Sequence, residues 1–259
     1  MPTLQLGSRS YFFEDRGEGV PLLLFHGFPF SSESWWPLLE APPAGVRVIA
    51  PDHRGFGKSA SDAVATMEAM AEDGLALLDA LQLDSAFVGG LSMGGYVAIA
   101  LTRLDPGRVR GLLLIDTQSL PDDEAAKARR EATAKEVETN GTSALVDGML
   151  PRLFAREFDA AVKARVEKLM RAQSPGAVAA ASRGMASRTD GKDILSRYAG
   201  PCTVVVGSED VITPVERAKT MQDLVAGSTL EVVSGAGHLT PLERPAAFRK
   251  IVEALTAGR

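Results

Sequence analysis

The most informative stretch of the sequence reads Val88-Gly89-Gly90-Leu91-Ser92-Met93-Gly94-Gly95. It joins an apolar run, which is typical of a buried strand, to an apolar helical pattern that ends at Asp105-Pro106-Gly107. The glycines two places before and after Ser92 allow neighbouring backbone to approach a tight and strained strand-to-helix turn. This pattern, the nucleophile elbow, predicts that Ser92 stands at the edge of a sheet with its hydroxyl available for chemistry.

Outward from this turn, short apolar runs alternate with helical patterns. The runs lie at residues 21–25, 46–50, 85–89, 111–116, 202–207 and 229–233. Between the second and third runs, apolar residues spaced three or four apart follow Thr66, which predicts a helix capped by that threonine. Continuous apolar strands separated by helices predict an α/β protein with a mostly parallel sheet covered on both faces.

The alternation stops after Asp116, and the residues up to Cys202 read as helices. Residues 122–140 hold 10 charged side chains among 19, which is typical of a solvated helix and indicates no partner. Two later apolar stripes need a surface to cover: Leu145, Val146, Met149, Leu150 and Leu153, then Val162, Val166, Leu169 and Met170. We therefore expect one core with an inserted helical segment.

Length, charge and cysteine content narrow the function classes. The 259 residues suit one α/β domain with an insertion, and 28 basic against 33 acidic side chains give a formal charge of −5. That balance supplies no basic field for nucleic acid or anionic lipid, and no apolar run approaches the roughly 20 residues that span a bilayer. Residues 1–19 lack the apolar stretch of an export signal, and Cys202 is the single cysteine. We expect a cytoplasmic protein with no nucleic-acid or membrane partner.

A serine nucleophile needs a histidine base and a carboxylate that orients the histidine. His238 follows the last apolar run in a small-residue loop and is the predicted base. Asp210 lies three residues beyond Gly207, which ends the preceding run, and it completes the chain order serine, aspartate, histidine. Asp116 also ends a run and Glu209 is adjacent to Asp210, so both stay open as alternative acids.

Two backbone amides are predicted to bind the oxyanion that forms at an attacked carbonyl. The Met93 amide lies at the start of a helix, where unpaired N–H groups and the helix dipole favour negative charge. Gly27 allows a tight turn after the first run that aims the Phe28 amide towards the nucleophile. The remaining histidines, His26 and His53, are interpreted as structural, with His26 holding this loop through a buried hydrogen bond.

Two nucleotide-binding patterns are discounted. Residues 55–60 fit a dinucleotide-binding G-x-G-x-x-A, but the next helical pattern begins only near Thr66, so no helix N-terminus faces the phosphates. Gly57-Lys58-Ser59 ends like a P-loop, yet Asp52 stands where its first glycine is required. No closely spaced histidine-carboxylate cluster indicates a catalytic metal. We therefore predict catalysis without a cofactor or a metal.

Five segments together resemble the α/β-hydrolase superfamily. In chain order they are His26-Gly27-Phe28, Asp52-His53-Arg54-Gly55-Phe56-Gly57-Lys58-Ser59, Gly90-Leu91-Ser92-Met93-Gly94, Gly207-Ser208-Glu209-Asp210 and Gly237-His238. The resemblance covers the whole chain and implies an α/β-hydrolase fold, with an eight-stranded, mostly parallel sheet flanked by helices. It also implies a core of residues 1–116 and 200–259, with residues 117–199 as a helical cap between core strands six and seven. Residues 182–190 add a similarity to small carboxylesterases and 3-oxoadipate enol-lactonase-like hydrolases.

The resemblance implies a serine hydrolase that forms an acyl-enzyme on a small to medium, largely apolar ester or lactone. Family members hold such substrates between cap and core, and the pocket candidates are Phe28, Phe30, Trp35, Met149, Met170 and Met185. The simpler interpretation of the methionines is that they only pack the cap. Carbon–carbon bond hydrolysis, cofactor-free perhydrolysis and a small-molecule receptor without turnover stay open as alternatives. Dehalogenases and epoxide hydrolases are disfavoured, because this chain has Ser92 where their nucleophile is aspartate.

Overall fold

A computed structural model describes residues 3–6, 9–61 and 65–257 of the chain. Within these residues eight strands form one sheet: β1 (Thr3–Leu6), β2 (Arg9–Arg16), β3 (Val20–Phe25), β4 (Val46–Pro51), β5 (Ala86–Leu91), β6 (Val109–Ile115), β7 (Cys202–Gly207) and β8 (Thr229–Val233). The α-helices in the same residues are α1 (Trp36–Glu40), α2 (Met67–Ala80), α3 (Met93–Leu104), α4 (Glu124–Asn140), α5 (Ser143–Leu153), α6 (Ala160–Arg171), α7 (Pro175–Ala186), α8 (Lys192–Arg197), α9 (Val215–Leu224), α10 (Thr240–Glu243) and α11 (Pro245–Thr256).

The sheet has the strand order β1-β2-β4-β3-β5-β6-β7-β8. Strand β3 pairs in parallel with β4 and β5, and β5 to β8 pair in parallel in chain order. Strand β2 is antiparallel to both β1 and β4. The predicted mostly parallel sheet flanked by helices is confirmed, and all six predicted strands form with ends within two residues of the predicted ones.

Strands β1 and β2 are not among the predicted runs. Their residues are partly exposed except at Tyr11-Phe12-Phe13, so they lack the continuous apolar run that marks a strand buried on both faces. Strand β2 pairs with β4 and β1 pairs with β2, which places both at one edge of the sheet, where one face of a strand can meet solvent. The sequence pattern used for the central strands therefore passes over them.

Two apolar clusters cover the two faces of the sheet. Leu23 and Phe25 of β3 belong to one, together with residues of α2 and α3, whereas Leu22 and Leu24 of the same strand belong to the other. Helix α2 begins as predicted after Thr66, whose hydroxyl accepts a hydrogen bond from the Ala69 amide at 3.1 Å. Helix α3 is buried along almost all its length, so the elbow that precedes it is held against the sheet.

Helices α4 to α8 lie between β6 and β7, in the segment predicted to form a cap. Helix α4, for which the sequence indicates no partner, packs mainly on α7, and Arg183 of α7 binds Glu131 and Glu138 of α4. Helices α5 and α6 add their apolar stripes to one core cluster, and α7 adds Val178 and Met185 to the other. The division of the chain into core and cap stays a prediction. In the described part of the chain, no helix is both long and apolar enough to cross a membrane.

Candidate active site

The turn between β5 and α3 holds Ser92 in a strained conformation. Its backbone has φ +52° and ψ −111°, in a region that residues other than glycine seldom adopt. The Ser92 amide donates to the Ile115 carbonyl at 2.9 Å, and its own carbonyl accepts from Gly95 N at 2.9 Å and Thr117 Oγ1 at 2.7 Å. These hydrogen bonds to β6, to Thr117 and to α3 hold the Ser92 backbone in its strained conformation. The serine side chain is partly exposed.

The flanking glycines are required by close backbone contacts. A Cβ atom on Gly90 would lie 2.1 Å from the Gly94 carbonyl carbon, and one on Gly94 would lie 2.0 Å from the Phe25 carbonyl oxygen. Both distances are far inside van der Waals contact with backbone, which cannot yield as a flexible side chain can. The Gly-x-Ser-x-Gly spacing therefore follows from the packing of the first turn of α3 against both β5 and β3.

His238 and Asp210 lie together after β8 and β7. His238 Nδ1 and Asp210 Oδ2 are 2.8 Å apart, and the same carboxylate oxygen accepts a hydrogen bond from Thr213 Oγ1 at 2.7 Å. The other oxygen, Asp210 Oδ1, accepts from the amides of Ile212 at 2.8 Å and Thr213 at 3.0 Å. Four donors thus orient the carboxylate and satisfy its lone pairs, with the imidazole as one of them.

Each member of this pair favours the charged form of the other. Burial acts to raise the pKa of Asp210, but the positive charge of His238 and its hydrogen bond hold that pKa below its ordinary value. Burial acts to lower the pKa of His238, but the negative charge of Asp210, its hydrogen bond to the ring and the charges of Asp116 and Glu243 together outweigh burial and raise that pKa. The pair is suited to stabilise an imidazolium that forms when the ring accepts a proton.

Asp116, the alternative acid, bonds to backbone and to a threonine instead of to the imidazole. Its carboxylate accepts from the Gly207 amide at 2.9 Å, the Thr240 amide at 3.0 Å and the Thr240 hydroxyl at 3.0 Å. The group is completely buried, and this burial together with the charge of Asp210 raises the pKa of Asp116 to about 7. Glu209, the other alternative, accepts a hydrogen bond from the Arg156 amide at 3.0 Å.

The oxyanion candidates lie on two segments that meet beside Ser92. A Cβ on Gly27 would lie 3.2 Å from the carbonyl oxygen of Leu91, the residue before Ser92, so the loop after β3 borders the elbow. Within the described residues, neither the Phe28 N–H nor the Ser92 hydroxyl has a hydrogen-bond partner. The Met93 N–H opens α3, where a helix offers no internal acceptor.

His26 lies behind this loop as a neutral ring. Its Nδ1 is 2.9 Å from the Gly27 carbonyl oxygen and its Nε2 accepts from the His53 amide at 3.0 Å, which assigns the ring proton to Nδ1. Complete burial lowers the pKa of His26 to about 4. Burial also lowers the pKa of His53, whose ring stacks on Phe25 at a centroid distance of 5.5 Å. The His26 ring holds the loop through these two hydrogen bonds, whereas the ring nitrogens of His53 have no hydrogen-bond partner in the described residues. Neither ring is hydrogen-bonded to the Asp210 carboxylate there.

The discounted nucleotide-binding segment is a structural turn. Asp52 Oδ2 accepts from the Lys58 amide at 2.8 Å, and a Cβ on Gly57 would lie 2.2 Å from that same oxygen. Gly55 and Gly57 both have positive φ, as the tight turn requires. Among residues 3–6, 9–61 and 65–257, no three histidine, cysteine, aspartate or glutamate side chains are grouped in a way that holds a metal ion.

Comparison with known proteins identifies the family. A family model described as alpha/beta hydrolase fold matches residues 20–245. The chain belongs to the α/β-hydrolase family. The predicted fold class and the resemblance are confirmed.

Similar proteins of this family include several kinds of hydrolase. A solved structure of a thermophilic esterase from Thermogutta terrifontis, with malate bound, has a TM-score of 0.90 and 38% identity, over 95% of this chain and 92% of that one. The 3-oxoadipate enol-lactonase 1 of Acinetobacter baylyi is 29% identical over 239 residues, covering 90% of this chain and 88% of the relative. The 2-hydroxymuconate semialdehyde hydrolase of Pseudomonas sp. strain CF600 is 30% identical over 256 residues, covering 92% and 87%. These names span more than one substrate class.

In this α/β hydrolase the predicted pocket residues lie in different surroundings. Phe28 and Met149 line a cavity of about 620 Å³ beside α4 and α5. Phe30, Trp35, Met170 and Met185 do not line it and are buried in the two core clusters, where Trp35 stacks on Phe248 at 6.2 Å. The packing interpretation therefore fits Met170 and Met185, whereas Met149 has access to the cavity.

Sequence reasoning missed Glu243, a half-buried carboxylate of α10 that braces the histidine loop. It accepts from the amides on either side of His238, Gly237 at 2.8 Å and Leu239 at 3.3 Å, and from the Ala155 amide at 2.8 Å. The His238 amide itself donates to the Leu153 carbonyl at 2.8 Å. The end of α5 is thus bonded directly to the loop that carries His238. Only the position of Glu243 five residues after His238 could have signalled this role.

Proposed function

We propose that this α/β hydrolase cleaves carboxylic esters or lactones through an acyl-enzyme on Ser92. The observation that carries the proposal is the 2.8 Å hydrogen bond between His238 Nδ1 and Asp210 Oδ2, because it leaves the opposite ring nitrogen to act as a base. The strained turn at Ser92 and the unpaired Phe28 amide support the same chemistry. Esterase and enol-lactonase activities in similar proteins agree with it.

The proposed reaction is acyl transfer in two halves. The Ser92 oxygen bonds to the substrate carbonyl carbon as His238 Nε2 accepts the hydroxyl proton, and the Phe28 and Met93 amides donate to the oxyanion. His238 then gives this proton to the leaving oxygen as the bond from the carbonyl carbon to that oxygen breaks. Water, deprotonated by His238, attacks the acyl-enzyme and releases the carboxylic acid and free Ser92. Asp210 stays ionised and stabilises the imidazolium in both halves.

The unpartnered Ser92 hydroxyl is compatible with this role. A catalytic serine-histidine hydrogen bond often tightens only when substrate is bound, and a hydroxyl already committed to another acceptor would first have to leave it. Ser92 precedes α3 yet its side chain does not cap that helix, unlike Thr66 before α2. The hydroxyl is therefore free to approach His238 and a bound ester.

Turnover of p-nitrophenyl acetate, butyrate and octanoate by the purified protein and by Ser92→Ala tests the proposal. We expect the variant to lose nearly all turnover while its circular dichroism stays unchanged, and mass spectrometry to detect an acyl group on wild-type protein only. Ser143→Ala, at an exposed position in α5, is the matched control and should retain full turnover. Turnover retained by Ser92→Ala would overturn the proposal.

A second candidate reaction is hydrolysis of a carbon–carbon bond with the same three residues. The similarity to a 2-hydroxymuconate semialdehyde hydrolase favours it. Product analysis separates the two, because cleavage of a carbon–carbon bond gives a carboxylic acid and a carbon-bound hydrogen in place of an alcohol. Perhydrolysis and binding without turnover stay alternatives, and tight ligand binding with negligible hydrolysis would favour a receptor. A cytoplasmic location and catalysis without a cofactor stay predictions.

A further inference from the structure

The cavity beside Phe28 has a charged lining. Its volume is about 620 Å³, and its charged residues are Arg129 and Arg130 of α4, Arg152 of α5, Arg217 of α9, and Asp122 and Asp123 before α4. Arginines outnumber aspartates four to two here, although the whole protein has a formal charge of −5. The cavity thus concentrates positive charge in an acidic protein.

The two aspartates are already engaged within the protein. Asp122 is shared by two guanidinium groups, with Arg130 at 3.1 Å and Arg188 at 2.8 Å. Burial acts to raise the pKa of Asp122, but these two arginines hold it below its ordinary value, so the carboxylate is ionised and committed to them. Asp123 Oδ1 accepts the Ala126 amide at 2.7 Å and caps α4. Asp122 is thus paired within the protein, and Asp123 makes no ion pair with the remaining arginines in the described part of the chain.

The other three arginines have no such partner. Within residues 3–6, 9–61 and 65–257, the side chains of Arg129, Arg152 and Arg217 make no ion pair and no hydrogen bond. They come from three separate helices, and α9 follows the loop that carries Asp210, whereas α4 and α5 belong to the insertion. All three residues are exposed, so their guanidinium groups are open to an anion that enters the cavity.

The position of the cavity relates these charges to the candidate active site. Phe28, whose amide is the proposed oxyanion donor, lines it, and so does Ile212, whose own amide donates to Asp210 at 2.8 Å. Leu145 and Met149 add apolar surface to the same lining. The cavity therefore borders both the proposed oxyanion donor and a residue that orients Asp210, and it offers apolar and positively charged surface to one ligand.

We propose that Arg129, Arg152 and Arg217 bind a carboxylate carried by the substrate, so that the substrate is an anionic ester or lactone. The guanidinium group presents paired donors that match a carboxylate, which is the anion most closely related to the acyl chemistry at Ser92. The conclusion that the bound anion is part of an ester or lactone substrate rests on the proposed function. The binding of a carboxylate by the three arginines does not. A substrate with an apolar part and a charged end replaces the largely apolar one expected from the sequence.

The test compares two esters with the same five-carbon acyl chain, p-nitrophenyl valerate and the p-nitrophenyl half-ester of glutarate. Wild-type protein should prefer the half-ester, and raised salt should reduce that preference. In the triple variant R129Q/R152Q/R217Q, the ratio of kcat/KM for the half-ester to that for valerate should fall about tenfold or more, mainly through KM. The control K127Q/K168Q/K219Q removes the same charge at exposed positions outside the cavity and should leave the ratio unchanged.

Calorimetric titration with glutarate and with inorganic phosphate separates this proposal from the proposed function. Glutarate should bind wild-type protein and bind the arginine variant about tenfold or more weakly, whether or not either ester is hydrolysed. If neither ester is hydrolysed but glutarate binding still depends on the arginines, the proposed reaction is wrong and the anion site is supported. An unchanged ester ratio in the triple variant, or phosphate binding as tight as glutarate, would overturn the carboxylate site.

Discussion

The Asp116 carboxylate accepts two hydrogen bonds from Thr240, one from its amide and one from its hydroxyl, both at 3.0 Å. Thr240 lies two residues after His238, and a third donor to Asp116, the Gly207 amide at 2.9 Å, lies three residues before Asp210. One buried carboxylate after β6 thus joins the Asp210 loop to the His238 loop. Asp210 is the carboxylate bonded to the imidazole, and we propose that Asp116 positions the two loops.

Replacing the two aspartates by asparagine should separate these roles. Asp210→Asn should lower kcat for p-nitrophenyl butyrate about 10³-fold or more, because the imidazolium loses its counter-charge and the ring loses its preferred tautomer. Asp116→Asn should lower kcat less than about tenfold but reduce the free energy of unfolding by about 1–3 kcal/mol, since its NH₂ group would oppose a backbone donor. Urea denaturation and initial rates measure both. A larger loss of kcat in Asp116→Asn than in Asp210→Asn would make Asp116 the acid.

The pH dependence of kcat/KM should report the ionisation of His238. The ring must be neutral to accept the serine proton, so activity should rise with pH through an ionisation above the 6.5 of an ordinary histidine, because the neighbouring carboxylates, chiefly Asp210, outweigh burial and raise the pKa. The charge of Glu243 also raises this pKa. Glu243→Gln should therefore move the acidic limb to lower pH. A limb that stays in place or moves to higher pH would contradict this account.

Glu243→Gln should also weaken the histidine loop. The carboxylate receives three backbone N–H groups, from Gly237, Leu239 and Ala155, and a glutamine would turn its NH₂ towards one of them. Leaving a buried donor unpaired costs about 1–3 kcal/mol, which a urea or thermal unfolding curve will resolve. Glu253→Gln, an exposed substitution in the neighbouring helix α11, is the control and should not change stability. Equal stability of the two variants would remove Glu243 from this role.

Two glycine-to-alanine substitutions in helices should have opposite effects. Gly148→Ala in α5, where a Cβ meets nothing within 4 Å, should stabilise the protein by about 0.5–1 kcal/mol. Gly94→Ala in α3 puts a Cβ 2.0 Å from the Phe25 carbonyl oxygen, so it should destabilise by about 3 kcal/mol or more and lower kcat by displacing the Met93 amide. Chemical unfolding and initial rates measure the pair. A stable and active Gly94→Ala protein would show that the elbow can yield.

Prediction from the sequence succeeded where neighbouring residues encode a local conformation. The central strands are continuous apolar runs because both of their faces are covered, and β7 and β8 match their predicted ends. The cap of α2 follows from Thr66 alone. Strand β2 was missed because its pairing depends on β4, which lies over 30 residues further along the chain, and β1, which pairs only with β2, is partly exposed and lacks an apolar run.

In the candidate site, too, local features could be predicted from the sequence and long-range contacts could not. The turn at Ser92 is local, so its glycines and strained backbone could be predicted from five consecutive residues. The choice between Asp116 and Asp210 could not be predicted, because each follows the end of a strand. The sequence does not show which groups donate hydrogen bonds to a carboxylate. Their hydrogen-bond partners lie between 2 and 124 residues away along the chain.

By itself, the sequence determined the parallel core, the turn at Ser92 and the chain order of Ser92, Asp210 and His238, since apolar periodicity and a glycine-bounded turn act over a few residues. Its five motifs also carried the family resemblance. Only the tertiary structure decided which carboxylate meets His238, that Glu243 braces the His238 loop, and that Arg129, Arg152 and Arg217 line one cavity. These relations join separate helices and loops, whose distances from one another are set by packing on the sheet. Packing brings together groups that no local pattern relates.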